Sequence, residues 1–238
     1  MSRIESIKNH FEAEAREFDA TILKLIPHYE EMIAALVAAL PFGKNEAFSV
    51  IDLGCGTGTL AQKVKRAFPN ARITCVDIAE NMIAIAKLKI GDDNRFIVSD
   101  FYNFDFPERY DAIISSLALH HLANDDDKQM FYRKIYNALA ERGVFYNADV
   151  VLASTPYMQD LYMAKWREFM AKSVSPEEME RKWIASYHAE DRPASLENHL
   201  KCLREIGFAN IDVVWKYYNF CVYGGGVGKQ KECSKELQ

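Results

Sequence analysis

From residue 43 onward, short apolar runs alternate with segments of helical period, and this alternation limits the fold more than any other feature of the chain. The apolar runs predict strands over 48–53, 72–77, 96–98, 110–116 and 143–150, and the segments between them predict helices over 60–68, 80–90 and 125–139. Strands that alternate with helices form a parallel sheet with helices on both faces. We therefore predict an α/β domain.

Three segments lie outside this alternation. Residues 3–40 carry apolar side chains at helical spacing and predict two helices, the second beginning at Pro27. Residues 155–192 predict a helical insertion with helices over 157–172 and 176–188, and they are followed by a predicted helix over 195–206 and strands over 211–215 and 219–223. The predicted organisation is an N-terminal helical lid over 1–44, a main domain over 45–223 that contains the insertion, and a flexible tail over 224–238.

A glycine-rich turn joins the first predicted strand to its helix. Gly54, Gly56 and Gly58 allow positive φ angles, and they let a ligand approach the main chain because no Cβ stands in the way. In open α/β sheets, ligands bind at the carboxyl ends of the strands, where this turn lies. The spacing is G-x-G-x-G, which differs from the G-x-G-x-x-G of dinucleotide-binding folds.

Acidic residues end the next two predicted strands. Asp77 ends the second strand, where a carboxylate can accept hydrogen bonds from both hydroxyls of a ribose. Asp100 ends the third strand and is followed by Phe101, so an adenine amino group could bind the carboxylate while the ring packs nearby. These positions predict a nucleoside site at the same edge of the sheet as the glycine turn.

With these motifs in register, residues 45–223 resemble the class I S-adenosylmethionine (SAM) methyltransferases. The resemblance is carried by the stretch 50–58, by Asp77, by Asp100 with Phe101, and by the stretch 115–122. It implies a Rossmann-like, seven-stranded, mostly parallel sheet whose final strand is antiparallel, with N-terminal helices and a helical insertion before the last two strands. It also implies that the cofactor is SAM.

The same resemblance implies roles for individual residues. The glycine loop would approach the methionine part of SAM, and Asp52 would hold the ammonium group. Asp77 would bind the ribose, Ile78 would pack on the adenine, and Asp100 would bind the adenine amino group. The backbone near Leu117 would contact the methionine end.

A second resemblance covers the two ends of the domain. Residues 16–29 and 194–223 are similar to carboxy-SAM synthase, which makes a carboxylated SAM for wobble-uridine modification of tRNA, and Tyr29 matches a tyrosine that contacts the cofactor there. That family anchors the added carboxylate with an arginine from the inserted helices. Here Arg181 or Lys182 could match that arginine, or neither, and the glycine loop has the general methyltransferase form.

His120 and His121 follow the fourth predicted strand and are the candidate catalytic residues. Histidine titrates near neutral pH, so one of them could act as a general base; the alternative is that they cap and orient the turn. The acidic run 125–127 could suggest a metal, but acids in the first turn of a helix capped by Asn124 explain it more simply. We therefore predict no metal.

Charge and cysteine content narrow the function further. The formal net charge of −5 provides no global basic field for DNA, and five cysteines without a C-x-x-C pair favour a reducing compartment. No signal peptide or membrane span is predicted, so we expect a cytoplasmic protein. The predicted function is methyl transfer from SAM to a small-molecule acceptor, without DNA or membrane partners and with a homodimer left open. The alternatives are a carboxy-SAM synthase-like enzyme and a non-catalytic SAM-binding protein.

Overall fold

The computed structural model describes residues 2–228, and its centre is a seven-stranded sheet. The strands are β1 (Ser49–Leu53), β2 (Arg72–Asp77), β3 (Arg95–Val98), β4 (Tyr110–Ser116), β5 (Leu139–Val150), β6 (Ala209–Tyr217) and β7 (Phe220–Gly226). Their spatial order is β3-β2-β1-β4-β5-β7-β6, and β7 runs antiparallel to both of its neighbours. The predicted sheet of seven mostly parallel strands with an antiparallel last strand is confirmed.

Helices cover both faces of this sheet. They are α1 (Arg3–Glu14), α2 (Phe18–Leu25), α3 (Tyr29–Ala38), α4 (Thr59–Ala67), α5 (Glu80–Ile90), α6 (Asp125–Ala138), α7 (Pro156–Met170), α8 (Pro176–Glu178), α9 (Ala185–Glu190) and α10 (Leu196–Ile206). A 3₁₀ turn over Leu119–His121 follows β4, and a π-helical stretch over Met179–Ile184 connects α8 to α9. The strand order reverses between β1 and β4, and such a switch point is where ligands bind in open α/β sheets.

The N-terminal segment folds as three helices, so the prediction of two was wrong. The unpredicted break lies between α1 and α2, at residues 15–17. Ala15 is buried and packs with Ala79 and Met82, while the chain turns so that α1 contacts α5 and α9 and α2 contacts α7. The apolar spacing runs through this break because both helices present apolar side chains to the rest of the domain.

The flexible tail was predicted to begin at residue 224, which is too early, because the last strand extends to Gly226. Gly224, Gly225 and Gly226 belong to β7 and are buried between β5 and β6. A Cβ at Gly224 would overlap the backbone carbonyl of Phe145, so glycine here allows two strands to approach closely. Residues 229–238 lie outside the described residues. Within the described part, no helix is both long enough and apolar enough to cross a membrane.

Candidate functional site

A cavity opens at the carboxyl ends of β1, β2 and β4, beside the switch point, and its space, counted with the open mouth, is about 940 Å³. Nine of the ten residues predicted to bind the cofactor line it: Tyr29, Asp52, Gly54, Gly56, Asp77, Ile78, Asp100, Phe101 and Leu117. The tenth, Gly58, lies behind the wall as the N-cap of α4, with a φ of 81°. We call this space the cofactor cavity.

The glycine loop is fixed to the neighbouring strand by its main chain. The N–H groups of Gly54 and Cys55 both donate to the carbonyl of Val76, at 2.8 and 2.9 Å. Gly54 and Gly56 have φ angles of 70° and 52°, which side-chain-bearing residues adopt at a cost. The loop therefore presents bare backbone to the cavity.

Asp77 holds the loop in place from the end of β2. One carboxylate oxygen accepts from the Gly56 N–H at 2.8 Å, and the other accepts from the Ala79 N–H at 2.9 Å. Burial raises the pKa of Asp77 to about 6, although these backbone donors act in the opposite direction. Each oxygen keeps a second lone pair, so the carboxylate can still accept hydrogen bonds from a ligand diol.

Replacing Asp77 with alanine is expected to weaken cofactor binding. The variant removes the acceptor of two hydroxyls, a loss of roughly 1.5–3 kcal/mol, or about 10- to 100-fold in affinity. Calorimetry with S-adenosylhomocysteine measures the change, and Asp105→Ala removes a carboxylate that is 92% exposed as the matched control. Asp77→Asn keeps one acceptor oxygen, so its affinity for S-adenosylhomocysteine should lie between those of Asp77→Ala and the unaltered chain. An Asp77→Ala variant with unchanged affinity would contradict the ribose assignment.

Asp52 lies in the wall of the cofactor cavity, and the backbone of Ala61 only partly offsets the cost of burying its carboxylate. Its side chain is fully buried, and neither carboxylate oxygen has a hydrogen-bond partner among the described residues. Burial raises the pKa of Asp52 to about 8. Burial and this neighbouring carboxylate also raise the pKa of Tyr29. A buried carboxylate without a partner is costly, so its place in a cavity marks a position for a cationic ligand group.

Asp100 and Phe101 form the opposite wall. Burial raises the pKa of Asp100, but hydrogen bonds from Asn103 and Tyr102 outweigh it and hold the pKa below its ordinary value. The Asp100 carboxylate therefore stays charged while it closes the turn after β3. Phe101 packs against Phe131, with ring centroids 5.0 Å apart.

Helices α1 and α2 supply cavity residues that the sequence analysis did not assign. The apolar side chains of Ile4, Ile7, Phe11 and Phe18 line the cofactor cavity. Asp19 ties α2 to the glycine loop, since it accepts a hydrogen bond from Thr57 and pairs with Lys89 at 2.5 Å. The helical apolar spacing of residues 4–18 was the signal for this face, but only the fold shows what it covers.

A second cavity lies next to the first and shares Phe11, Phe18, Leu117 and His121 with it; its space, counted with the open mouth, is about 810 Å³. We call it the acceptor cavity, after the methyl acceptor that the sequence analysis predicts. Its aromatic lining includes Trp166, Trp183, Tyr187 and Phe220. The first three belong to α7, the π-helical stretch and α9, which lie within the predicted insertion, so the insertion forms one side of this cavity.

The two predicted catalytic histidines have different surroundings. His120 is buried, and its Nδ1 lies 2.5 Å from Asp149 Oδ1. Burial lowers the pKa of His120, but Asp149 and Asp191 outweigh this and raise it to about 10. His121 lines both cavities, and burial and the His120 charge lower its pKa to about 3. The acidic run 125–127 starts α6, where Asn124 accepts from the Asp127 N–H at 2.8 Å, so the helix-cap interpretation is confirmed.

Comparison with known proteins agrees with this geometry. Residues 50–143 match the family model described as a methyltransferase domain. An uncharacterized methyltransferase of Bacillus cytotoxicus is 30% identical over 63% of this chain and 68% of its own length. The carboxy-SAM synthase of Helicobacter hepaticus is 27% identical over 91% of this chain and 94% of its own length. By contrast, the chain spans only 35–36% of the length of two malonyl-[acyl-carrier protein] O-methyltransferases that it matches.

Solved structures show the same fold. The DhpI-SAM-HEP complex superposes with a TM-score of 0.65 and 22% sequence identity, and the match covers 93% of this chain and 96% of that one. At this identity the likeness concerns the fold alone.

Proposed function

The chain belongs to the family of SAM-dependent methyltransferases, and from this premise we propose that it transfers a methyl group from SAM to a small molecule in the acceptor cavity. The observation that carries the proposal is the buried, unpartnered carboxylate of Asp52 in the wall of the cofactor cavity. The ammonium group of SAM supplies the cation that this carboxylate lacks. A carboxylate without such a ligand would be a net cost to the fold.

The other residues of the cofactor cavity fit the remaining parts of SAM. Gly54 and Gly56 leave room for the methionine part of SAM. Leu117, whose backbone has a φ of 52°, would contact the same part of SAM. Asp77 receives the ribose hydroxyls. Ile78 and Phe101 would pack against the adenine ring, and the Asp100 carboxylate would accept a hydrogen bond from the adenine amino group.

The protein positions the two reactants and excludes water from them, and it forms no covalent bond to either. When SAM is bound, its sulfonium supplies an electrophilic methyl group. Phe11, Phe18 and Leu117 line both cavities, so the methyl group would cross between walls that exclude water. Fixing two reactants in line can remove roughly 7–11 kcal/mol of the barrier. His121 lines both cavities and is therefore the catalytic candidate that would lie nearest the methyl group, whereas His120 lines the acceptor cavity alone.

The acceptor cavity favours a largely apolar, uncharged acceptor. Its basic lining residues are three histidines, of which His10 pairs with Glu190 at 2.7 Å and His120 with Asp149. Aromatic and aliphatic side chains form most of the remaining wall, and its charged residues are the carboxylates of Glu14, Glu190 and Asp191. A free cation that could anchor an anionic acceptor is therefore not among the lining residues.

A carboxy-SAM synthase-like activity is the second candidate, because that relative matches the chain over almost its whole length. Its product carries an added carboxylate that needs a fixed cation. Arg181 is 79% exposed and donates to Glu177 at 2.8 Å, and Lys182 pairs with Glu14 at 2.7 Å. Neither side chain lines the cofactor or the acceptor cavity, so methyl transfer to a separate acceptor is the better-supported proposal.

The assay that separates the two candidates combines the protein with SAM and prephenate and follows SAM by mass spectrometry. We expect no species that is heavier by one carboxyl group in place of a hydrogen. We also expect Arg181→Ala to leave cofactor affinity unchanged, since its partner Glu177 is itself exposed. Formation of the heavier species, together with its loss in Arg181→Ala, would favour the second candidate. Mass spectrometry of molecules that co-purify with the protein then identifies the cofactor and acceptor directly.

A further inference from the structure

Three potential metal ligands meet in the wall of the acceptor cavity. His121 Nδ1 lies 3.4 Å from Asp191 Oδ1, and His120 Nε2 lies 3.5 Å from the same oxygen. The ligand atoms of the three side chains all lie within 4.8 Å of one another. A tetrahedral ion with bonds of about 2.0–2.2 Å separates its ligands by roughly 3.4 Å, so the two histidine–aspartate separations match those around a shared ion. The two histidine nitrogens, which lie within 4.8 Å of each other, would move to the same spacing when the ion binds.

One of these atoms is unsatisfied without a ligand. His121 Nδ1 is buried and has no hydrogen-bond partner among the described residues, although Asp191 is close. A buried ring nitrogen without a partner costs free energy. A proton on His120 would balance the charge of Asp191, but it would leave His121 Nδ1 without a hydrogen-bond partner. An ion between the three side chains satisfies all of them.

The surroundings of His120 match those of a metal-binding histidine. Its Nδ1 is paired with Asp149 Oδ1, and this directs Nε2 towards Asp191. Asp149 is held in turn by Asn147 Nδ2 at 3.1 Å and by the backbone N–H of Val150 at 2.9 Å. A carboxylate on the far nitrogen is the usual partner of a metal-ligating histidine, because it fixes the ring and its tautomer.

We propose that His120, His121 and Asp191 together bind one divalent transition-metal ion. Two imidazoles and one carboxylate suit zinc, manganese, iron or cobalt better than calcium or magnesium. The sequence predicted no metal because no ligand cluster besides the acidic run 125–127 is recognisable in it, and Asp191 is distant in sequence from both histidines.

The ion would have a clear use in the proposed reaction, and this step rests on the proposed function. All three ligands line the acceptor cavity, so open coordination positions face the acceptor. A hydroxyl acceptor bound to the ion loses its proton to solvent more easily. Its oxygen then forms a bond to the methyl carbon as the carbon–sulfur bond of SAM breaks, and S-adenosylhomocysteine leaves.

The test measures metal binding and needs no turnover. The full chain is stripped with a chelator and titrated by calorimetry with Zn²⁺, Mn²⁺ and Co²⁺, in the absence of SAM. We expect one ion per chain for at least one of these metals. The Co²⁺ complex should show the visible bands of a nitrogen and oxygen site without the near-ultraviolet thiolate band that cysteine ligation would give.

The variants identify the ligands. His121→Ala and Asp191→Asn should each weaken binding at least 10-fold, whereas His28→Asn removes an exposed histidine and should leave it unchanged. The Co²⁺ spectrum of the unaltered chain keeps the test decisive if a variant fails to fold. Absence of stoichiometric binding by all three metals, or equal binding in His121→Ala, overturns the proposal. Methyl transfer without metal would refute the catalytic step alone, and metal binding without methyl transfer would refute the proposed function alone.

Discussion

Replacing Asp52 with asparagine is expected to stabilise the ligand-free chain at alkaline pH and to impair cofactor binding. Burial raises the pKa of Asp52 from 3.8 to about 8. Between these values the folded chain holds a proton that the unfolded chain has released, so the free energy of unfolding falls as pH rises through this window. Asparagine does not titrate, and the variant therefore escapes this fall.

Denaturant unfolding at pH 5 and pH 8 without ligand measures the effect. The variant and the unaltered chain should differ little at pH 5, and at pH 8 the variant should be more stable by an amount on the order of 3 kcal/mol. The Asp77 carboxyl is present in both chains, but its charge also raises the pKa of Asp52, so the difference at pH 8 includes the repulsion between these two carboxylates. Equal stability at pH 8 would show that Asp52 is not a buried, uncompensated carboxyl.

The same variant should bind SAM about 10- to 100-fold more weakly, because the ammonium group loses a charged partner worth roughly 1.5–3 kcal/mol. Asp111→Asn is the matched control. Asp111 lies at the other end of the β1–β4 pair, where it accepts hydrogen bonds from Ser49, and its replacement should not change SAM affinity. Gain of stability together with loss of affinity is the combination that distinguishes a ligand-binding carboxylate from a structural one.

Local signals were enough to predict much of the fold and of the cofactor cavity. The ends of β2 and β4 agree with the prediction, since apolar runs that stop at a polar residue mark strand ends. Asp77 and Asp100 could be assigned to one edge because parallel strands place their carboxyl ends together. These residues are close in sequence to the elements that position them.

The missed features depend on contacts between distant parts of the chain. The break at residues 15–17 follows from packing of Ala15 against Ala79, which no spacing rule within residues 3–40 reveals. Asp191 joins His120 and His121 because the end of α9 meets the 3₁₀ turn after β4, where the Arg192 N–H donates to the His120 carbonyl at 2.9 Å. The glycines of β7 predict flexibility when taken alone, whereas the sheet uses Gly224 for close approach to Phe145.

Alanine substitutions at Gly54 and Gly56 are expected to have different effects, although both glycines have positive φ and both line the cofactor cavity. A Cβ at Gly54 would overlap the Cβ of Ala118, so Gly54→Ala combines overpacking with left-handed strain and should cost roughly 3 kcal/mol or more of stability. A Cβ at Gly56 would meet only Phe18, at 3.8 Å. Gly56→Ala should therefore cost only about 1–2 kcal/mol, from backbone strain.

Cofactor binding should nevertheless fail in the better-folded variant. A methyl group at Gly56, or the larger side chain of Gly56→Val, projects into the space where SAM approaches the loop. We expect a folded chain that no longer binds SAM, measured by thermal unfolding and by calorimetry on the same sample. Pairing Gly54→Ala with Ala118→Gly removes the overlapping atom and should restore part of the lost stability, while Ala118→Gly alone should not increase it. If Gly56→Val binds SAM normally, the cofactor does not contact this loop, and the assignment of the whole cavity is wrong.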